Sequence, residues 1–487
     1  MSCHRLRDAE WAGWLLPGAT EVTLVPAEAS ILAPATDECS ASCVHEADRQ
    51  HVWHPFTQMQ EYLALPPLAI ASGRGGWLTD TDGCTYLDGN ASIWTNVHGH
   101  NDPDLNTALQ RQLACVAHST MLGLTHAPGA ELAAELARLA PPGLGRVFFS
   151  DNGAGAVEVA LKLSFQYWQL AGRPEKRGVI GLAGGYHGDT FGAMAAGDSG
   201  FFHERFRPWC FPAEHFPAPH CREWGGRVRE ADATASLAAL RTLLAAQAGR
   251  TACLILEPSV QGAAGMRLQP PGFVREVAAL CRAHDVHLIL DEVFVAFGRL
   301  GGMIVCTEEG VTPDFLCLAK GLTAGYLPLA ATLAREEIFE AFLGPVESRR
   351  AFFHGHTFTG NPLAAAVALE NIRKLRVLIA EGTLRARRAC FGRLIDETFS
   401  NHPHVREIRQ RGFTAALDLA PSRDSAEKFP ASRRAGLQVC LRARAHGLLL
   451  RPLGDSLLLV PPLCLDENEL GQLVHRTALA IADVLPV

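Results

Sequence analysis

The sequence predicts an α/β protein built on a mainly parallel sheet flanked by helices, with a smaller α+β domain beside it. Three observations predict this. Short apolar runs recur along the chain, amphipathic helical patterns lie between them, and after Asn361-Pro362 the pattern changes to one long helical stretch followed by shorter, mixed elements. A chain of 487 residues also exceeds the size at which one hydrophobic core stops growing, so a large domain with a second unit is expected.

The strands are taken in order. Gly145–Ser150, Gly178–Leu182, Ala252–Leu256 and Val286–Leu290 read as buried strands, and Pro313–Ala319 is a further strand-like run that breaks at Lys320-Gly321. In open α/β sheets the ligand crevice lies outside the carboxyl ends of the strands. The residues just after these runs are therefore the first candidates for chemistry: Asp151, Tyr186, Glu257, Asp291 and Lys320. Beyond Leu363–Arg376, read as a helix, Gly412–Leu419 and Ser456–Val460 read as strands of the smaller unit, with Arg451 on a turn between them.

Composition narrows the function. Hydrophobic residues make up 48% and charged residues 20%, and the net charge is -7 with no basic stripe, which argues against a nucleic-acid partner. No uninterrupted apolar stretch reaches transmembrane length, so no membrane partner is expected. The fourteen cysteines show no repeating spacing, and Cys253, Cys281 and Cys317 fall in apolar runs, which fits a reducing cytoplasm. Cys39, Cys43 and His45 lack a second ligand pair, so no metal is expected. The first fifty residues carry no sustained periodicity and no signal-peptide core, and are read as a flexible extension.

Five lysines occur: Lys162, Lys176, Lys320, Lys374 and Lys428. Four read as surface residues, Lys176 in the polar loop Arg173–Arg177. Lys320 alone sits at the edge of a buried run, where desolvation lowers an ammonium pKa and frees a nucleophile. Ser150–Gly155 follows a strand and opens a helix with Val157, Leu161, Phe165 and Trp168 on one face. Small residues and free N–H groups there make an anion site, although Asn-Gly before a helix is also a routine cap. Asp291 either caps the next helix or fixes a protonated ring nitrogen, and Tyr186, in a glycine loop, either fills the core or stacks on a flat ligand. His187 and Asp189 suggest a metal or a dyad, but the segment lacks the third member either would need.

Together, Trp53–Met59, Gly185–Thr190, Glu257-Pro258, Asp291–Val293, Phe297–Arg299, Ala319–Thr323 and His354–Pro362 resemble class III, fold-type-I pyridoxal-phosphate aminotransferases from about His51 to the C-terminus. The resemblance implies a seven-stranded-type sheet, pyridoxal 5'-phosphate as cofactor and a homodimer with its active site at the subunit interface. It divides the chain into an extension (1–50), a segment serving the small domain and active site (51–104), a large cofactor-binding domain (105–365) and a small domain (366–487). Lys320 would hold the cofactor and shuttle a proton, Asp291 would pair with the ring nitrogen, and Tyr186 would lie against the ring. Gly153 and Ala154 would bind the phosphate, with Thr357 and His356 reaching in from the partner subunit. Phe56, Ile93, Trp94 and Gly355 would line the substrate pocket, and Arg451 would hold a substrate carboxylate.

The opening Trp53–Met59 is similar to that of the biotin-pathway members, which implies amino transfer to 8-amino-7-oxononanoate, with S-adenosylmethionine as donor. Some relatives carry a tyrosine and a tryptophan that stack on adenine where this chain has Phe56 and Ile93, and lysine as donor is compatible with that change. Ala154 stands where many members have serine, His356 replaces a proline seen in some, and Phe294-Val295-Ala296 replaces the usual small residues and threonine. Another ω-amino-acid or polyamine substrate, and a binding protein without activity on the same fold, are the rival expectations.

Overall fold

The computed structural model describes residues 41–65, 67–424 and 427–486. These residues divide into two compact units, with the boundary between residues 67 and 68. In the first, helices Ala41–His51 and Met59–Ala64 are joined through Asp48, which accepts from the Tyr62 hydroxyl (2.6 Å) and lies 2.9 Å from His54 Nε2. A helix thus occupies the last ten residues of the segment read as a flexible extension; the rest of that segment lies outside the described residues.

The second unit is organised by a seven-stranded sheet. Its strands are Arg146–Ser150 (β1), Gly178–Leu182 (β2), Glu214–Phe216 (β3), Thr251–Leu256 (β4), His287–Asp291 (β5), Phe315–Leu318 (β6) and Ala330–Ala334 (β7), in the order β1-β7-β6-β5-β4-β2-β3. All pairs are parallel except those of β7, which runs antiparallel to both neighbours. The apolar runs are continuous because both faces are covered. Leu254, Leu256, Leu288, Leu290, Leu316 and Leu318 point into one core, while the alternating Cys253, Ile255, Ile289, Phe315 and Cys317 point into another, beneath the helix Gly153–Leu170. The first core is closed by the helices Ala127–Leu139, Thr234–Ala246, Phe273–Ala283 and Pro362–Ala380.

A third core joins Leu87 to the helices Thr383–Phe399, Ala435–Ala443 and Glu467–Val484 and to an antiparallel sheet ordered Val405–Arg411, Thr414–Leu419, Ser456–Leu459, Arg451–Leu453. Arg451 therefore begins a strand, opposite Leu458, and does not sit on a turn. The chain reaches it from Leu448–Leu449, which pairs with Thr85–Asp88. The helix read as Leu363–Arg376 runs to Ala380, its first turn capped by Asn361 Oδ1.

Two lysines correct the sequence reading. Lys176 is 1% exposed; its ammonium donates to the Asp285 carbonyl and stands 3.6 Å above the Trp168 ring. The aromatic face and the carbonyl replace water for a charge that a polar loop would leave exposed. Lys374 is partly buried and bridges Asp102 and Asp104. No helix among the described residues is long and apolar enough to cross a membrane.

Candidate active site

Parallel strands deliver their carboxyl ends to one edge of the sheet, and four of the five strand-end residues singled out from the sequence act on one another there. Asp291 closes β5 and is paired in register with Cys317 of β6, three residues before Lys320. The Asp291 carboxylate is almost fully buried: Oδ1 accepts from the Val293 amide (3.1 Å), and Oδ2 lies 2.8 Å from His187 Nδ1. Glu257, just after β4, accepts from the amides of Tyr186 (3.1 Å) and Gly262 (3.0 Å). Burial pushes its carboxyl up to about 7, the His187 ring opposing and the Asp291 charge adding to the rise.

Lys320 opens a short turn, Lys320–Thr323, and is half-buried. Its ammonium lies 5.2 Å from the Trp94 ring centroid and 5.7 Å from that of Phe294, two rings 4.5 Å apart. Burial lowers its pKa, Asp291 and Glu257 pull it back, and Arg299 lowers it further. The result is an amine that loses its proton more readily than a free lysine while two acids stand within electrostatic reach. Tyr186 donates from its hydroxyl to Asp189 (2.8 Å) and stacks at 5.7 Å on His203. Burial, first, and Asp189, next, raise its pKa, so the phenol stays protonated.

At the predicted anion site the helix start is capped by a side chain. Asn152 caps the helix Gly153–Leu170 by accepting from Gly155 N (2.9 Å), and the first intrahelical bond is Ala156 N to Asn152 O. The amides of Gly153 and Ala154 precede it and face out of the helix end. A side chain at Gly153 would lie 2.7 Å from Val293 Cγ1, and one at Gly188 2.4 Å from Ala154 Cβ, so the cradle is closed around bare backbone.

Ile93 and Trp94 belong to a left-handed turn, Ala91–Trp94, with φ between 45° and 69°. Trp94 Nε1 donates to Asn90 Oδ1 (3.0 Å), which aims the ring at Phe294, and Ile93 is 45% exposed. His356 Nδ1 is 3.9 Å from Asp151 Oδ2, and its Nε2 is buried without a partner. Gly355 and Thr357 beside it are exposed, and Gly355 has open space around it. Arg451 is exposed. Phe56 lies in the first unit, exposed, with φ 51°.

Residues 58–481 match the family model described as aminotransferase class-III. The chain belongs to the class-III aminotransferases. Among the members it resembles is the adenosylmethionine-8-amino-7-oxononanoate aminotransferase of Geobacter sulfurreducens, 46% identical over 88% of this chain and 94% of the relative. Another is the Aquifex aeolicus protein of the same name, 40% identical over 92% and 99%. Of solved structures, that of the Methanocaldococcus jannaschii enzyme so named superposes with a TM-score of 0.86 at 36% identity, covering 91% of this chain and 99% of that one. The omega transaminase of Pseudomonas jessenii in complex with PMP gives 0.82 at 31% identity, covering 91% and 98%.

In this class-III aminotransferase three residues that the sequence reading names without placing at the site are neighbours of it. His187 is the partner of Asp291, 104 residues away in the chain, a pairing that no local spacing reveals. Phe294 forms a wall beside Lys320; its place three residues after Asp291 was the available signal. Arg299 is buried, donates to the carbonyls of Pro461 (2.6 Å), Phe413 and Asn96 (both 3.4 Å), and has its pKa pushed down to about 9 by burial. It ties the loop after β5 to the segment carrying Trp94. A separate cavity lined by Tyr167, Trp168, His287 and Asp314 lies at the opposite edge of the sheet.

Proposed function

We propose that this chain is a pyridoxal-phosphate-dependent aminotransferase that moves an amino group onto 8-amino-7-oxononanoate, giving 7,8-diaminononanoate for biotin synthesis, with S-adenosylmethionine as donor. The observation that carries the reading is Lys320, an amine facing two adjoining aromatic rings, its pKa lowered by burial, at a strand end shared with Asp291. When bound, pyridoxal phosphate supplies an aldehyde that condenses with amines and a ring that accepts the electrons left behind when a proton departs from the adjacent carbon.

The residues present fit that group. The outward amides of Gly153 and Ala154, in a cradle with no room for a side chain at 153, suit a phosphate. Asp291, held from behind by His187, suits a protonated ring nitrogen, and Tyr186 suits the ring's face. Lys320 would be the nucleophile and, with the cofactor bound, the base that moves a proton from the donor carbon to the cofactor's aldehyde carbon and, in the second half-reaction, from that carbon to the acceptor carbon. Trp94, Ile93 and Gly355 form the substrate pocket, and Arg451 holds the substrate carboxylate through its guanidinium fork. His356 and Thr357 of the partner subunit complete the phosphate site, so the working unit is a homodimer. The buried, unpaired thiols of Cys253, Cys281 and Cys317 support a cytoplasmic setting.

Lysine as donor is a second reading, favoured by Ile93, which offers no aromatic face for an adenine. The test supplies the oxononanoate with either S-adenosylmethionine or lysine and measures diaminononanoate. Product with neither, alongside turnover of ornithine or 4-aminobutyrate, removes the substrate assignment. Borohydride fixation of the cofactor that survives Lys320→Ala removes the assignment of the nucleophile.

A further inference from the structure

Lys320 has φ +47°, and Ala324, closing the same turn, has φ +53°. Neither is glycine, so the surrounding structure must hold the turn in a region that L side chains avoid. The strongest hold comes from one amide. Asn371, fully buried in the helix Pro362–Ala380, donates from Nδ2 to the carbonyls of Gly321 and Leu322, both at 2.8 Å. With its NH2 committed, Asn371 Oδ1 can only accept, so His98 Nε2 at 2.9 Å carries the hydrogen between them. The His98 ring is buried and kept neutral by that burial and by Lys374.

His98 lies four residues beyond Trp94, the ring nearest the Lys320 ammonium. The path from His98 through Asn371 to Gly321 and Leu322 therefore links the two strained segments that meet at the amine, the turn Ala91–Trp94 and the turn Lys320–Thr323. Packing leaves little slack. A side chain at Gly321 would lie 3.2 Å from Phe297 Cβ and 3.6 Å from Val97 Cγ2, so the turn is wedged between the residue before His98 and the loop after β5.

We propose that Asn371, oriented by His98, is a positioning residue for Lys320. By fixing the carbonyls of Gly321 and Leu322 it holds Lys320 in the left-handed conformation that points the amine at the adjoining rings of Trp94 and Phe294. Asn371 touches no reacting atom. The proposal rests on Lys320 being the lysine that captures the cofactor.

The test uses the full-length protein with Asn371→Leu, Asn371→Asp, His98→Leu and His98→Gln. Asn371→Leu removes both donors at similar volume, and Asn371→Asp keeps the shape but turns acceptors toward two carbonyls. His98→Gln retains an N–H donor that His98→Leu lacks. Three quantities are read: the rate at which added pyridoxal phosphate becomes covalently fixed by borohydride, the pH midpoint of its visible absorbance, and kcat with KM. Capture and kcat are expected to fall about 10- to 100-fold in both Asn371 variants with KM within about twofold, because the amine is misaimed while the pocket persists. The pH midpoint shifts with them. His98→Leu falls less, and His98→Gln recovers most of that loss. A folded Asn371→Leu protein that captures the cofactor within about twofold of the parent rate, with an unmoved midpoint, overturns the proposal. Should both Asn371 variants fail to fold, the His98 pair decides: His98→Leu identical to the parent overturns it, and slowed capture rescued by His98→Gln sustains it. A parent protein that captures no cofactor, or capture that survives Lys320→Ala, strikes instead at the reading of Lys320.

Discussion

Replacing Gly153 by alanine puts the proposed phosphate cradle under load. The added methyl would lie 2.7 Å from Val293 Cγ1 and 3.0 Å from Cγ2, against an ordinary carbon–carbon contact of about 3.5–4.0 Å. Val293 cannot swing aside freely. It is β-branched and stiff at χ1, and its amide is tied to Asp291 Oδ1 at 3.1 Å. Relief must come from backbone movement, either of the helix start that carries the Gly153 and Ala154 amides or of the loop that carries Asp291. Overpacking of this kind costs about 1–3 kcal/mol, which as a loss of cofactor affinity is roughly 5- to 150-fold in Kd.

Alanine also favours the helix over glycine by up to about 1 kcal/mol, so the melting temperature of the cofactor-free protein will fall less than the affinity does. That divergence separates a cradle from a mere packing position. Titration of pyridoxal phosphate by absorbance measures the affinity, and Gly153→Ala combined with Val293→Ala, which removes both obstructing methyls, should restore most of it as a coupled pair. Affinity within about twofold of the parent in Gly153→Ala, or no recovery in the double variant, refutes the cradle.

Three further outcomes are expected. Glu257 has its folded-state pKa raised from 4.5 to about 7, so the folded chain keeps a proton that the unfolded chain releases; the stability this gives is full below about pH 4.5 and is lost as pH rises through 7, roughly 3 kcal/mol in all. Denaturant unfolding of Glu257→Gln between pH 5 and 7.5 should show a flatter decline than the parent, the remainder coming from Glu292, whose buried carboxyl is also pushed up to about 7. Lys176→Met should lower stability by about 1–3 kcal/mol in thermal melts, since it loses the Trp168 face and leaves the Asp285 carbonyl without its donor, while Lys428→Met on the exposed surface should be neutral. Ile93→Asn should raise the melting temperature, because asparagine tolerates φ 66° where a β-branched residue is strained by about 1–2 kcal/mol, and should raise the donor KM by removing an exposed apolar contact.

Legibility followed the range of the interaction. β2 matches its sequence reading residue for residue, and β4 and β5 match within a residue at each end, because strands covered on both faces need unbroken apolar runs, a demand written in adjacent residues. The strand-end positions of Asp291 and Lys320 were legible for a related reason: each follows directly on such a run. Lys176 was misread because its polar neighbours describe the loop and not the Trp168 ring that covers it. His187 was recognised as chemically able, yet its partner is on another strand end. Arg451 reads as lying on a turn because its segment lies between two strand-like runs, whereas pairing with Ser456–Leu459 makes it the start of a strand.

The conformation of Ala91–Trp94 is the least legible feature and the one closest to the chemistry. Four consecutive non-glycine residues in the left-handed region cost about 1–2 kcal/mol each, and none of them is the Asn or Asp that tolerates it. The compensation is polar and ties the turn to residues flanking it. Asp88, buried, accepts from the Asn90 amide (3.1 Å) and the Ser92 hydroxyl (2.9 Å) and faces His100 Nε2 (3.1 Å); Asn90 accepts from Trp94; and the amides of Thr95 and Asn96 both return to the Ala91 carbonyl. At about 1 kcal/mol for a typical hydrogen bond and more for those to a charged group, such a set is of the size needed to hold the turn. Ser259 (φ 70°), Phe297 (φ 54°) and Lys320 itself are strained in the same way around the same edge of the sheet. Strain concentrated there and offset by buried polar anchors elsewhere gives an amine and two aromatic rings whose places are set by tertiary bonds, so the arrangement is rigid where the reaction needs precision and invisible to any reading confined to neighbouring residues.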